Sequence, residues 1–258
     1  MVMTVNFERL QNMISETVVE KIIAAINNAV TTDIAEDLQR TGLNKETSNS
    51  VPQRIWDLIN RNITNILLPN LITGYTHPNP WNIVTAFDKE TGVLYSFMRE
   101  ARFKEIAKHQ QKHVHYLKAL TSGFNNDVES EQMSFFPEEQ PNQFEVAKTI
   151  HQIAEDLNIP ESIVRGHVLI LFESKHEILH GVRACLVNGN LEICASIDLS
   201  HLIAVSSPVV VDEVVIPESM TNNPAQKLSL TPKARKRKNM QIDLALKKNQ
   251  KEEEQSIS

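Results

Sequence analysis

The segment His176-Glu177-Ile178-Leu179-His180 has the spacing HExxH. On a helix this places two imidazoles one turn apart, able to chelate zinc, with the Glu carboxylate as general base. The flanking residues oppose a helix. Leu169-Ile170-Leu171-Phe172 precede the motif and Gly181-Val182-Arg183-Ala184-Cys185-Leu186-Val187 follow it, so it reads as a β-turn entering a strand. Residues four apart on a strand lie about 13 Å from each other, too far to share one ion. Lys175 adds positive charge beside a dication, and Gly181 weakens a helix. Glu192 or His201 could add a third ligand, and nothing in the spacing selects one. The expectation is no cofactor. The alternative is zinc on His176 and His180 with Glu177 as base.

A second chemical pattern lies upstream. Arg102 stands seven residues before His109, in a segment that also carries His113 and His115. The pair resembles the Arg–His pair of the HEPN ribonuclease family, which implies that Arg102 and His109 act on a scissile phosphate. The polar residue that family places after its Arg-hydrophobic pair is missing. The competing reading is a solvated helix face, KHQQKH.

Residues 153–168 resemble a helix-turn-helix core. Ala154 would pack between helices, Leu157 and Ile159 would fill the core, and Val164 would anchor the second helix. Asn158 can take the left-handed turn. Arg165 and His167 would meet DNA, with the 179–197 hairpin as a wing. The competing reading is helix–turn–strand, because the apolar run VLILF follows at once.

Gln132-Met133-Ser134-Phe135-Phe136 resembles the sliding-clamp-binding peptide of bacterial replication and repair proteins. The resemblance implies that Gln132 makes a directed hydrogen bond while Met133, Phe135 and Phe136 fill an apolar pocket. That family prefers Leu where Phe135 stands. Residues 241–245 are a poorer version of the pattern. The competing reading has the Phe pair anchoring the loop to the body. Lys233, Arg235, Lys236, Arg237 and Lys238 form a basic cluster suited to phosphates. It reads equally well as a solvated tail.

These residues sit in an unequal charge distribution. The net charge of −6 combines +4 in residues 231–258 with −10 in residues 1–230. An acidic body repels phosphates over a broad face, so nucleic-acid contact must be local or come from the tail. Seven Gly leave no Gly-rich phosphate loop. Two cysteines, Cys185 and Cys194, cannot make a disulfide framework and read as reduced thiols. No run of eighteen apolar residues suggests a membrane span, and the opening MVMTVNFERL does not read as a secretory leader. A cytoplasmic protein with no membrane contact is expected.

The elements that must position these groups follow from periodicity. Residues 6–29 predict one amphipathic helix with Phe7, Leu10, Ile14, Val18, Ile22 and Ile26 on a stripe. A second helix starts near Pro52, a third spans about 100–120, and a fourth about 144–157. Strands are expected at 81–87, 93–98, 167–173, 181–187 and 191–197, with 208–216 as one more candidate. Asn188-Gly189-Asn190 marks a hairpin. A Gly189-Asn190 turn would set Cys185 opposite Cys194, and an Asn188-Gly189 turn would not. Residues 74–80 read as a helix breaker.

The fold class expected is α+β, with a mainly antiparallel sheet of about five strands, N-terminal and central helices, and a disordered C-terminal tail. The organisation expected is a helical part with a hairpin (1–122), an acidic loop or linker (123–143), a helix with strands (144–216) and a polar basic tail (217–258). The overall pattern resembles uncharacterised proteins of low-GC Gram-positive bacteria and their phages, a likeness that implies no particular activity. The function expected is a non-enzymatic accessory or regulatory protein of bacterial or phage DNA metabolism, phage defence included. Its partners would be the clamp, and nucleic acid through the tail. The alternatives are the zinc hydrolase, the ribonuclease, and an acidic protein that blocks a toxin or nuclease.

Overall fold

The structure, a computed structural model, describes residues 2–42, 49–77, 82–108, 115–129, 142–175 and 177–203. The nominated residues His109, His176, Gln132, Met133, Phe135, Phe136, Lys233, Arg235, Lys236, Arg237 and Lys238 lie outside them, as do the 208–216 strand and the tail. No helix among the described residues is long and apolar enough to cross a membrane.

The chain is α+β, and its described residues form one sheet of six strands in sequential order. These are β1 (Leu71–Thr76), β2 (Ile83–Asp88), β3 (Val93–Arg99), β4 (Gly166–Lys175), β5 (Ile178–Val187) and β6 (Ile193–Asp198). Four pairings are antiparallel and one, β3 with β4, is parallel. A parallel neighbour requires a crossover. That crossover holds α5 (Glu100–Lys108), α6 (Tyr116–Phe124) and α7 (Gln143–Asp156). The segments 1–122 and 144–216 therefore each supply three strands to the same sheet.

Helices cover both faces. On the first lie α1 (Val2–Met13), α2 (Glu16–Asn28), a π-helical turn (Ala29–Asp33), α3 (Ile34–Thr41) and α4 (Val51–Thr64). Their buried residues, among them Val18, Ile22, Ile26 and Ile59, pack on Val84, Tyr95, Val168, Ile170, Phe172 and Ala184. On the second face Phe103, Ile106, Leu117, Leu120, Ile153 and Leu157 pack on Phe87, Leu94, Leu169, Leu171 and Cys185. Strands apolar on both sides, such as VLILF, are what a sheet covered twice demands.

Several expectations are corrected. The sheet has six strands rather than five, because residues 71–76 extend the meander. The predicted 6–29 helix breaks at Ser15, which is extended at φ −88°, ψ 115°. Tyr95 enters from β3 at the break: its hydroxyl donates to Met13 O at 3.2 Å and accepts from Ser15 N at 3.5 Å. Those are backbone groups a continuous helix would pair internally. Phe7, on the predicted apolar stripe, is exposed. The 100–120 helix is likewise two, with His115 extended as the N-cap of α6. The linker begins later than residue 123, since α6 runs to Phe124, and Asn125 and Val128 are buried. At Gly123 α6 and α7 approach closely, since a Cβ would meet Ile150 Cδ1 of α7 and that side chain would have to shift.

The helix-turn-helix does not form. Asn158 is left-handed at φ 53° as expected, and Ala154, Leu157 and Ile159 are buried. After Pro160 only a 3₁₀ turn follows, Glu161–Ile163, and the chain enters β4. The strand preference of the β-branched and apolar residues from Ile163 to Phe172 prevails over a second helix. The β5–β6 connection is wider than either two-residue turn. Asn188 Oδ1 accepts from Asn190 N and Glu192 N, both at 3.0 Å, and Leu191 is left-handed at φ 62°. The resulting register shift sets Cys185 opposite Ser196 rather than Cys194. It also turns Leu191 and Ile193 onto the second face, away from the Ala184 side.

Candidate functional site

An open cleft of about 380 Å³ lies at the end of the sheet where β3 and β4 begin. Phe87, Lys89, Gly92, Ser162, Ile163 and Arg165 line it. One wall is the β2–β3 turn. Asp88, fully buried, accepts at its carboxylate from Asn70 Nδ2 (3.1 Å), Glu90 N (3.1 Å) and the Thr91 hydroxyl (2.9 Å). Gly92 N donates to Asp88 O at 2.8 Å and closes the turn. Lys89 is thereby fixed at the backbone, its N–H on Asn70 O at 2.8 Å, while its ammonium reaches Pro69 O at 3.2 Å.

The other wall is the short stretch between α7 and β4. Arg165 N donates to Gly92 O at 2.8 Å, just before Val93 and Gly166 pair. Gly92 has φ +75°, and a Cβ there would sit 2.9 Å from Arg165 Cγ and Cδ and 3.0 Å from Ile163 O. Its missing side chain is what lets the Arg165 stem cross the turn. Among the described residues neither Lys89 nor Arg165 has a carboxylate within ion-pair distance. Ile163 is 42% exposed, unusual for so apolar a side chain, while Phe87 is buried. The arrangement offers an ammonium bonded to a carbonyl, a guanidinium and a hydroxyl beside an apolar surface. Arg165 was nominated from the sequence as a nucleic-acid contact, and the structure places it at this cleft. Lys89 and Ile163 were not nominated, because only the strand pairing brings residues so far apart in sequence together.

A second group of polar side chains was also missed. On the second face Ser96 Oγ lies 2.8 Å from His167 Nε2, the spacing of a nucleophile and its base. Neither residue is more than 1% exposed. His167 Nδ1 has no partner, so no third group orients the imidazole, and Thr85 Oγ1, on the residue paired with Ser96 across β2 and β3, is unpaired too. Burial pushes the His167 pKa down to about 3, so the ring is neutral. Asn125 supplies the missing rung between β4 and β5: its Nδ2 donates to His167 O and Val187 O, both at 2.9 Å, and its Oδ1 accepts from His167 N at 3.0 Å. Sealed from substrate, this set belongs to the core.

The remaining nominated residues are placed apart from one another. Lys175 ends β4 and Ile178 begins β5, with Glu177 left-handed at φ 60° in the tight connection. The described part of HExxH is thus a hairpin, with His180 exposed on β5. Arg102 is exposed on α5 and bonded to Glu105 at 2.9 Å. The histidine it influences is His115, whose pKa falls to about 4 through burial first and the Arg102 charge second. His115 Nδ1 accepts from Leu117 N at 3.2 Å and caps α6. Burial also pushes the Cys185 thiol well up, which leaves it un-ionised.

Residues 11–248 match a family of unknown function, DUF5986, and the chain belongs to that family. No curated protein matches it, and no solved structure does.

Proposed function

For this member of DUF5986 we propose a non-enzymatic accessory or regulatory role beside bacterial or phage DNA, in which the chain binds nucleic acid through local cations. The observation that carries the reading is that Lys89 and Arg165 line one open cleft, neither with a carboxylate partner among the described residues, in a body whose first 230 residues sum to −10. Two cations at one cleft of an acidic body give an anion a local place to bind. The Ser96–His167 pair is sealed in the core. The basic cluster Lys233, Arg235, Lys236, Arg237 and Lys238 adds a second, sequence-independent contact under this reading. Gln132, Met133, Phe135 and Phe136 add the sliding clamp as a protein partner.

The test is fluorescence anisotropy with labelled DNA at about 50 and 200 mM salt. Affinity should fall steeply with salt, deletion of 231–258 should remove most of it, and Lys89→Glu with Arg165→Glu should remove the rest. No binding at low salt, or binding indifferent to both changes, sinks the reading. For the clamp contact, a peptide covering 128–140 should bind purified clamp at micromolar strength, about −7 to −8 kcal/mol. Phe135→Ala with Phe136→Ala should abolish that binding.

A further inference from the structure

The cleft has more character than a pair of surface cations. Its volume, about 380 Å³, lies at the small end of the range for ligand pockets. Its lining divides into an apolar part, Ile163 with Phe87, and a polar part, Lys89, Ser162 and Arg165. A phosphate alone would use the polar part and leave Ile163 facing water. A base alone would leave both cations unused. A nucleotide has both halves, a flat apolar face and an anionic group, joined at a distance a cleft of this size can span.

We propose that the cleft holds one nucleotide unit of a single-stranded nucleic acid, with the base against Ile163 and the phosphate between Lys89 and Arg165. The inference rests on the nucleic-acid reading above and narrows it. In a duplex the base faces are covered by their neighbours, so a duplex can present phosphates to the two cations but no face to Ile163. A single strand can splay a base out, and its face can then cover part of the exposed Ile163 side chain by ordinary apolar burial. The Ser162 hydroxyl adds a donor beside the cations. Arg165 is held at its backbone by Gly92 O and its stem crosses that glycine, so the root of the side chain is placed at the cleft before ligand arrives. Preorganisation of this kind reduces the ordering cost of binding.

The experiment uses the full chain and three labelled ligands of equal length: a single strand, the same strand with abasic sites throughout, and a duplex. The single strand should bind about fivefold more tightly than the abasic strand, the order of partly covering one aliphatic side chain. Ile163→Asp should erase that difference and, by setting a carboxylate beside the two cations, weaken all three ligands. Ile163→Ala should act in the same direction with less risk to folding, and the abasic comparison needs no variant at all. If single and abasic strands bind alike and both weaken in Lys89→Ala/Arg165→Ala, the cleft reads phosphate only and the inference falls while the nucleic-acid reading stands. If no ligand binds at low salt, both fall together. If polyglutamate displaces the single strand as well as unlabelled strand does, the cleft serves an acidic protein, and the inference is overturned.

Discussion

The two faces of the sheet are built on different rules. The side chains that β2 to β5 send to the first face are apolar through the centre, from Val84 and Tyr95 to Ile170 and Ala184. The one central polar atom among them, the Tyr95 hydroxyl, is occupied at the α1–α2 break. The second face mixes Phe87, Leu94 and Leu169 with Thr85, Ser96 and His167, and takes the Asn125 amide from the end of α6. The first face is held by volume and area, so its losses scale with atoms removed. The second is held partly by directed bonds between groups that cannot reach water, where removing one partner strands another.

The largest expected effect tests that difference. Asn125→Ala leaves His167 N, His167 O and Val187 O buried without partners, at a cost of about 3 kcal/mol or more. Ile22→Ala, a larger loss of apolar volume on the first face, should cost about 2–5 kcal/mol. Urea denaturation of both variants measures the comparison. If Asn125→Ala falls within 0.5 kcal/mol of wild type, about the scatter of surface substitutions, the second face is held by packing like the first.

Acid should separate the faces next. His167 has its folded pKa depressed to about 3 against an ordinary 6.5. The unfolded chain therefore binds a proton first as pH falls, and stability present above about 6.5 is lost progressively toward 3. By pH 4 the loss attributable to this ring is roughly 3 kcal/mol. His115, lowered to about 4, acts in the same direction. Asp37, held at about 2 by Arg54 and then Arg40, loses its contribution only below the ordinary carboxylate range. His167→Gln should flatten the limb between pH 6.5 and 4, since Gln cannot titrate. An unchanged limb, read from thermal melts across this range, means His167 is not the sensor.

What the sequence disclosed follows the same division. The strands of both faces were readable, because β-branched runs and hairpin signals are local. β1 was missed because Gly74 and Tyr75 sit in LITGYT just ahead of His77-Pro78-Asn79-Pro80, whose breaker signal dominates the window. The break at Ser15 depends on Tyr95, 80 residues away, so no helical periodicity could show it. Asn125 fell inside what read as a polar loop, yet its partners lie 42 and 62 residues on. At the cleft Arg165 was legible as a cation, but its setting against Lys89 and Ile163 required the β3–β4 pairing.

Gly92 links the sheet to the cleft and gives a smaller effect. Gly92→Ala forces a side chain into φ +75° and against the Arg165 stem, at a cost of about 1–2 kcal/mol. Because Arg165 must move, nucleic-acid affinity should fall by more than this stability loss alone would cause. Equal affinity in a destabilised but folded variant would detach Arg165 from binding.

The smallest effect has the opposite sign and is the most discriminating. Thr85 is fully buried between β1 and β3, and its hydroxyl has no hydrogen-bond partner. An unpaired buried hydroxyl carries its desolvation cost with nothing to offset it. Thr85→Val keeps the branched shape, favours the strand and removes that hydroxyl, so it should raise stability by about 0.5–1 kcal/mol. Thr121 is the control, equally buried on the same side, with its hydroxyl bonded to Leu117 O at 3.0 Å. Thr121→Val should lower stability by about 1 kcal/mol, because there a made bond is lost. Opposite signs in two Thr→Val changes, measured in the same urea titration, would show that hydrogen bonding and not volume decides on this face. If Thr85→Val is destabilising as well, the Thr85 hydroxyl is not a net cost and packing decides on this face too.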